Sequence, residues 1–152
     1  AARLHAGSPV PGDDANTFCA ALTMTGTNGI MGSREPIYVD PTKTYRLHCK
    51  FFTAAKFSGS IAGYGWNAGG QQCKNDAGGV WQWNLTSGPR QGPTGPTAGW
   101  QTLSCVIGPA GSGAPYSWPA DVVSINFGFW MAGDAGATVY LDDIMMEEVP
   151  AE

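Results

Sequence analysis

Residues 122–131 set Val123, Ile125, Phe127, Phe129 and Met131 against Ser124, Asn126, Gly128 and Trp130, an apolar/polar alternation with a period of two. Successive side chains of a strand leave opposite faces of its sheet, so this period predicts a half-buried strand. The period recurs along the chain. Phe18, Ala20, Leu22 and Met24 alternate with Cys19, Ala21 and Thr23, and Tyr45, Leu47, Cys49 and Phe51 share one phase. Tyr64 and Trp66 share a phase in a Gly-interrupted strand over 57–66, as do Trp81 and Trp83 over 80–85 and Leu103, Cys105 and Ile107 over 100–107. Between these segments lie loops rich in Gly and Pro, and no stretch carries a helical 3.6-residue period. About eight short strands joined in this way predict an all-β protein, an antiparallel β-sandwich or jelly roll.

The chain of 152 residues fits one domain with a core of its own. Residues 1–16, with Pro9, Pro11, Gly12, Asp13 and Asp14 and little apolar content, are expected as an extended N-terminal arm or edge segment, and 17–149 as the sandwich domain. The stretches 26–32, 67–79, 87–99 and 108–119 are expected as loops, the last displaying Tyr116 and Trp118. A net charge of −4 without a Lys/Arg cluster argues against nucleic acid as a partner. No apolar run is long enough to predict a membrane span, and no charged segment followed by an apolar one predicts a leader. A start at Ala1 is expected from processing or from excision out of a longer polypeptide. Four cysteines without zinc spacing leave several states open. Cys49 and Cys105 are expected to face inward as neighbours, either bridged or as buried thiols, and a Cys19–Cys73 bridge is less favoured.

The closing stretch 137–149 alternates Val139 and Leu141 with Tyr140 and Asp142, then doubles its charge at Asp143 and ends at Pro150, which cannot continue a ladder. A buried unpaired carboxylate is costly, so Asp142 or Asp143 requires a cation, hydrogen-bond donors or water. The order Leu22-Thr-Met24, then Ile37-Tyr-Val-Asp-Pro-Thr-Lys-Thr-Tyr-Arg-Leu47, then Trp100 before an apolar strand, then Val139-Tyr-Leu-Asp-Asp-Ile144, resembles the β-sandwich carbohydrate-binding modules of secreted glycoside hydrolases. Related sandwiches occur in phage tail and virion proteins. The resemblance implies a structural calcium, with Asp142 as its ligand. It also implies an extracellular or virion-surface location. The family's opening strand, with its Asn, Gly, Phe and Glu, is not found in this sequence.

Binding a sugar requires aromatic planes for the C–H faces of pyranose rings and short polar side chains for the hydroxyls at their rims. Tyr64, Trp66, Trp81, Trp83 and Trp130 beside Asn126 are the candidate platform, with Arg46, His48, Gln82 and Asn84 at its rim. The competing reading places these tryptophans in the core. Catalytic motifs are absent: there is no Gly-x-Ser-x-Gly, His-Glu-x-x-His or EF-hand pattern, and His5 and His48 are the only histidines. Glu35 with Asp121 could serve glycoside hydrolysis only if suitably spaced. The expectation is a non-catalytic module that binds a glycan or mediates surface attachment within a larger extracellular or virion assembly. The alternative is a structural or decoration protein of a virus particle whose aromatics meet neighbouring virion or host-protein subunits.

Overall fold

The computed structural model of the chain describes residues 2–10, 18–26, 28–33, 35–85 and 94–150. Its regular elements are all strands, thirteen in number: β1 (Ala2–Ala6), β2 (Phe18–Thr23), β3 (Asn28–Gly32), β4 (Ile37–Tyr38), β5 (Tyr45–Phe52), β6 (Phe57–Asn67), β7 (Gln82–Asn84), β8 (Thr94–Gly95), β9 (Gln101–Gly108), β10 (Tyr116–Ser117), β11 (Val122–Ile125), β12 (Gly128–Gly133) and β13 (Thr138–Glu148). They form two sheets, ordered β1-β2-β13-β5-β9-β10 and β3-β12-β6-β11-β4, with β7 and β8 also on β6. The architecture is the expected β-sandwich. Every pairing is antiparallel except β9 with β10.

The strands outnumber the eight expected because one is divided into β11 and β12 and because β1, β3, β8 and β10 arise in segments expected as arm or loops. Ile125 opposes Gly65 and Gly128 opposes Ala62, so β11 and β12 keep a single register on β6 across the gap at Asn126-Phe127. The stretch 28–32, expected as a loop, pairs instead with β12 as β3. Its small residues carry no apolar period to reveal it. Ala2–Ala6, expected within the arm or edge segment, is the outermost strand of the six-stranded sheet, with Arg3 opposite Ala21.

The core lies between the sheets. Leu22, Leu47, Phe51, Val139 and Leu141 come from the six-stranded side and meet Trp81, Trp83, Val122 and Ile125 from the other. Trp83 is 0% and Trp81 7% exposed. Each indole removes on the order of 150–250 Å² from water, worth roughly 4–6 kcal/mol at about 25 cal/mol per Å². Their room comes from β6, whose inner positions are glycines. A Cβ at Gly63 would stand 2.7 Å from Trp83 Nε1, and one at Gly65 would stand 3.0 Å from the Trp81 ring. Trp118 is buried as well, not displayed on its loop, and donates its indole N–H to the Lys43 carbonyl at 2.8 Å.

The outer face of the six-stranded sheet carries a second aromatic set. Phe52 packs between Tyr140 and Trp100, with ring centroids 6.0 Å apart on either side. The N-terminal segment reaches this row, where the Trp100 indole N–H donates to Ser8 Oγ at 3.2 Å, and Phe52 keeps only 7% exposure.

The four cysteines are buried free thiols. Cys49 opposes Leu103 and Leu47 opposes Cys105, so Cys49 and Cys105 are diagonal neighbours on β5 and β9. Diagonal positions stand about 7–8 Å apart between Cα atoms, at or beyond the reach of a disulfide. Burial pushes both thiols up to about 12. Cys19 lies on the six-stranded sheet, whereas Cys73 bonds through its backbone N–H to Gly65 of the other, so these two are not paired.

Candidate functional site

Because the glycines of β6 face the core, the residues between them face out. Tyr64 and Trp66 leave the seven-stranded sheet on its solvent side, half-buried, in the phase opposite Gly63 and Gly65. Register places their neighbours. Ser124 pairs with Trp66 on one edge and with Tyr38 on the other, and Gln72 bridges Trp66 from beyond β6. The result is a row, Tyr38-Ser124-Trp66-Gln72, in which Tyr38 is 78% and Ser124 6% exposed. With strands about 4.8 Å apart, Tyr38 and Trp66 are separated by roughly 10 Å across the sheet. A second row runs beside it. Gln82 pairs with Tyr64, and Tyr64 exchanges bonds with Asn126: its carbonyl accepts the Asn126 N–H at 3.1 Å, and its own N–H donates to Asn126 Oδ1 at 2.7 Å.

The described residues of these two rows are uncharged. Tyr38, Tyr64, Trp66, Gln72, Gln82, Ser124 and Asn126 offer ring faces, hydroxyls and carboxamides, and no Asp, Glu, Lys or Arg stands among them. Neutral hydroxyl-bearing ligands suit such a surface, since contact with it desolvates no charge. At its margin Asp121 accepts from Asn67 Nδ2 at 3.2 Å. The Cys73 thiol behind it is pushed up to about 11, first by burial and then by hydrogen bonding to Asp121.

Of the residues expected to form the platform, Tyr64, Trp66 and Asn126 come together, with Gln82 beside them. Trp81 and Trp83 do not. They are core residues, because the period that aligned them with each other points inward over the glycines of β6. Arg46 and His48 belong to the opposite sheet. Both lie on β5, where Arg46 Nη1 donates to Glu147 Oε1 at 3.2 Å and His48 pairs with Met145 and Ser104. Trp130 opposes Ser60 and Ile30 in register, and its side chain, like that of Asn84, lies outside the described residues. Tyr38, Ser124 and Gln72 were not expected. Tyr38 sits on a two-residue strand too short to show a period, and Gln72 reaches the face through a single bridge from a loop.

The doubled carboxylate has a local solution. Asp143 adopts the left-handed region, φ 47°, within a bulge where the β13–β5 register shifts between Asp142 and Met145. Its N–H donates to Asp142 Oδ1 at 2.8 Å, and its carboxylate lies 2.8 Å from Lys50 Nζ. The charge therefore meets an ammonium, a backbone donor and water. Among the described residues no three His, Cys, Asp or Glu side chains gather to hold a metal, and the Asp143 carboxylate next to Asp142 is already paired with the Lys50 ammonium. Glu35 and Asp121 are not a catalytic pair. Ile37 opposes Ile125, so the antiparallel register puts the two acids at opposite ends of the β4–β11 pairing. The separation is on the order of 20 Å at about 3.3 Å per residue, beyond the reach of two-carboxylate hydrolysis.

No family model matches the chain, and no curated protein does. Solved structures do. The fold is similar to a family 16 carbohydrate-binding module-2 (TM-score 0.56, 19% identity, 91% of this chain and 83% of that one). It is equally similar to TmCBM61, solved in complex with β-1,4-galactotriose (TM-score 0.56, 10% identity, 98% and 83%). It also matches the enzymatically active domain of bacteriophage CBA120 tailspike protein 4 (TM-score 0.60, 11% identity), of which 97% of this chain covers only 18%. Among the described residues no helix is long and apolar enough to cross a membrane. At these identities the likeness concerns the fold alone: the chain has a β-sandwich fold similar to that of these modules.

Proposed function

We propose that this domain is a non-catalytic carbohydrate-binding module that takes up its glycan on the outer face of the seven-stranded sheet. The observation that carries the reading is the uncharged row Tyr38-Ser124-Trp66-Gln72 alongside Gln82-Tyr64-Asn126. Aromatic side chains in these rows offer C–H contact surface, and the amides of Gln72, Gln82 and Asn126 offer bonds to ring substituents. The likeness in fold to carbohydrate-binding modules supports the same ligand class. As such a module the domain works outside the cell, attached to a larger secreted or virion protein, with a glycan as its partner and no chemistry of its own.

A glycan array probed with the intact domain, and then with Tyr38→Ala, tests the reading. Binding to a defined glycan that falls with Tyr38→Ala supports it, whereas silence across the array by a folded domain overturns it. A second reading, a subunit-contact module of a virus particle, is favoured by the tailspike likeness. In that case Tyr38 and Trp66 would be protected from solvent labelling in an oligomer.

A further inference from the structure

The gap between β11 and β12 gives one residue of the candidate face an unusual job. In an uninterrupted ladder the Tyr64 N–H would bond to the main-chain carbonyl of residue 126. Here it bonds to Asn126 Oδ1, at 2.7 Å, while the Asn126 N–H still donates to the Tyr64 carbonyl at 3.1 Å. The main-chain carbonyl has turned inward. It points at the place where a side chain on Gly63 would begin, on the side of the Trp83 indole nitrogen, which is buried without a hydrogen-bond partner among the described residues. A donor and an acceptor thus share the hollow left by Gly63. Trp83 packs in turn against Phe127, the rings tilted by 45° with centroids 5.9 Å apart.

The assignment of the carboxamide follows from this network, because only its oxygen can accept the Tyr64 N–H. Its nitrogen must then lie at the other end. Asn126 Nδ2 donates to no described group and lies on the β3 side, 3.9 Å from where a Cβ on Gly32 would stand, and Asn126 itself is half-buried. Its direction is held by the backbone and not by a free torsion. A donor fixed before binding loses little rotamer freedom when a ligand arrives.

Resting on the glycan reading above, we propose that Asn126 is a specificity-determining residue with two separable ends: Oδ1 closes the broken ladder, and Nδ2 is a pre-oriented donor to an acceptor oxygen of the bound sugar. Gly63 is a positioning residue, since only a residue without a Cβ leaves room for the turned peptide. The ligand class this selects is a neutral sugar presenting a hydroxyl or ring oxygen to the amide between Tyr64 and the β3 side of the face.

Asn126→Asp separates the two ends, since it keeps an acceptor for the Tyr64 N–H and removes the donor. Titration of the intact domain with the glycan identified by array is expected to show an affinity loss of about ten-fold, the worth of one hydrogen bond, with the melting temperature of the free protein unchanged. Asn126→Ala is expected to lower both. An Asn126→Asp protein that binds as tightly as the parent overturns the proposal while leaving glycan binding intact. Equal loss of melting temperature in Asp and Ala variants overturns it too, by showing that both ends serve the fold. If the parent binds no glycan, it is the functional reading that fails.

Discussion

The two outer faces of the sandwich both carry aromatic side chains, yet they are built to different ends. On the six-stranded sheet Tyr140, Phe52 and Trp100 form a packed row reached by the N-terminal segment through Ser8, and farther along β5, β13 and the turn before β5 lie the ion pairs Lys50–Asp143, Arg46–Glu147 and Lys43–Glu148. On the seven-stranded sheet Tyr38, Trp66 and Tyr64 stand among amides and a hydroxyl without a charge between them. The difference teaches that the number of aromatics does not mark a binding face. What marks it is which aromatics remain unpacked, and here glycines at the inner positions of β6 decide that by drawing Trp81 and Trp83 into the core.

The comparison breaks most severely at Gly63. A methyl group there would collide with the Asn126 carbonyl and the Trp83 indole, both of them held in the core. Gly63→Ala is expected to lose more than about 3 kcal/mol, at the upper end of overpacking costs, read as a fall in the denaturant midpoint. An unchanged midpoint would mean that the inner side of β6 is looser than described. Trp100→Ala tests the opposite face. Because it removes part of a packed row, a loss of about 2 kcal/mol is expected, with glycan affinity untouched.

Next comes the response to alkali. Burial pushes the Cys49 and Cys105 thiols up from 9.0 to about 12. Above pH 9 the unfolded chain releases thiol protons that the folded chain retains, so the unfolded state gains stability as the pH rises. Their contribution is complete below about pH 9 and is lost as the pH climbs toward 12. Unfolding curves at pH 8 and pH 10.5 should therefore show a lower midpoint at the higher pH, a decrease that Cys49→Ala reduces. The smallest effect concerns calcium. With Lys50 already beside Asp143, chelation should leave the melting temperature where it was, and a rise on adding calcium would restore the cation site.

Much of the fold was legible because strands announce themselves by a period of two, and β2, β5, β9 and β13 all do. The candidate site was legible only in part. The alternation in Trp81-Gln82-Trp83 correctly grouped the two indoles, but a period does not say which face is the inner one. The sequence did hold a signal, in Gly63-Tyr64-Gly65-Trp66, where alternating glycines mark the side against which large groups can lie. Arg46 and His48 were correctly read as facing away from the core, yet which sheet owns β5 depends on long-range pairing that local pattern does not encode. Asn126 continues the polar phase of residues 122–131 without interruption, so nothing in the pattern betrays the turned peptide at that point.

If the proposal holds, the seven-stranded face binds and the six-stranded face does not. Calorimetric titration of the parent, Trp66→Ala and Trp100→Ala proteins with one array-identified glycan tests it directly. The account predicts an affinity about 30-fold weaker for Trp66→Ala, the loss of one aromatic anchor worth roughly 2 kcal/mol, with its stability retained, and an unchanged affinity for Trp100→Ala. The reverse pattern, with binding kept in Trp66→Ala and lost in a folded Trp100→Ala, would contradict it.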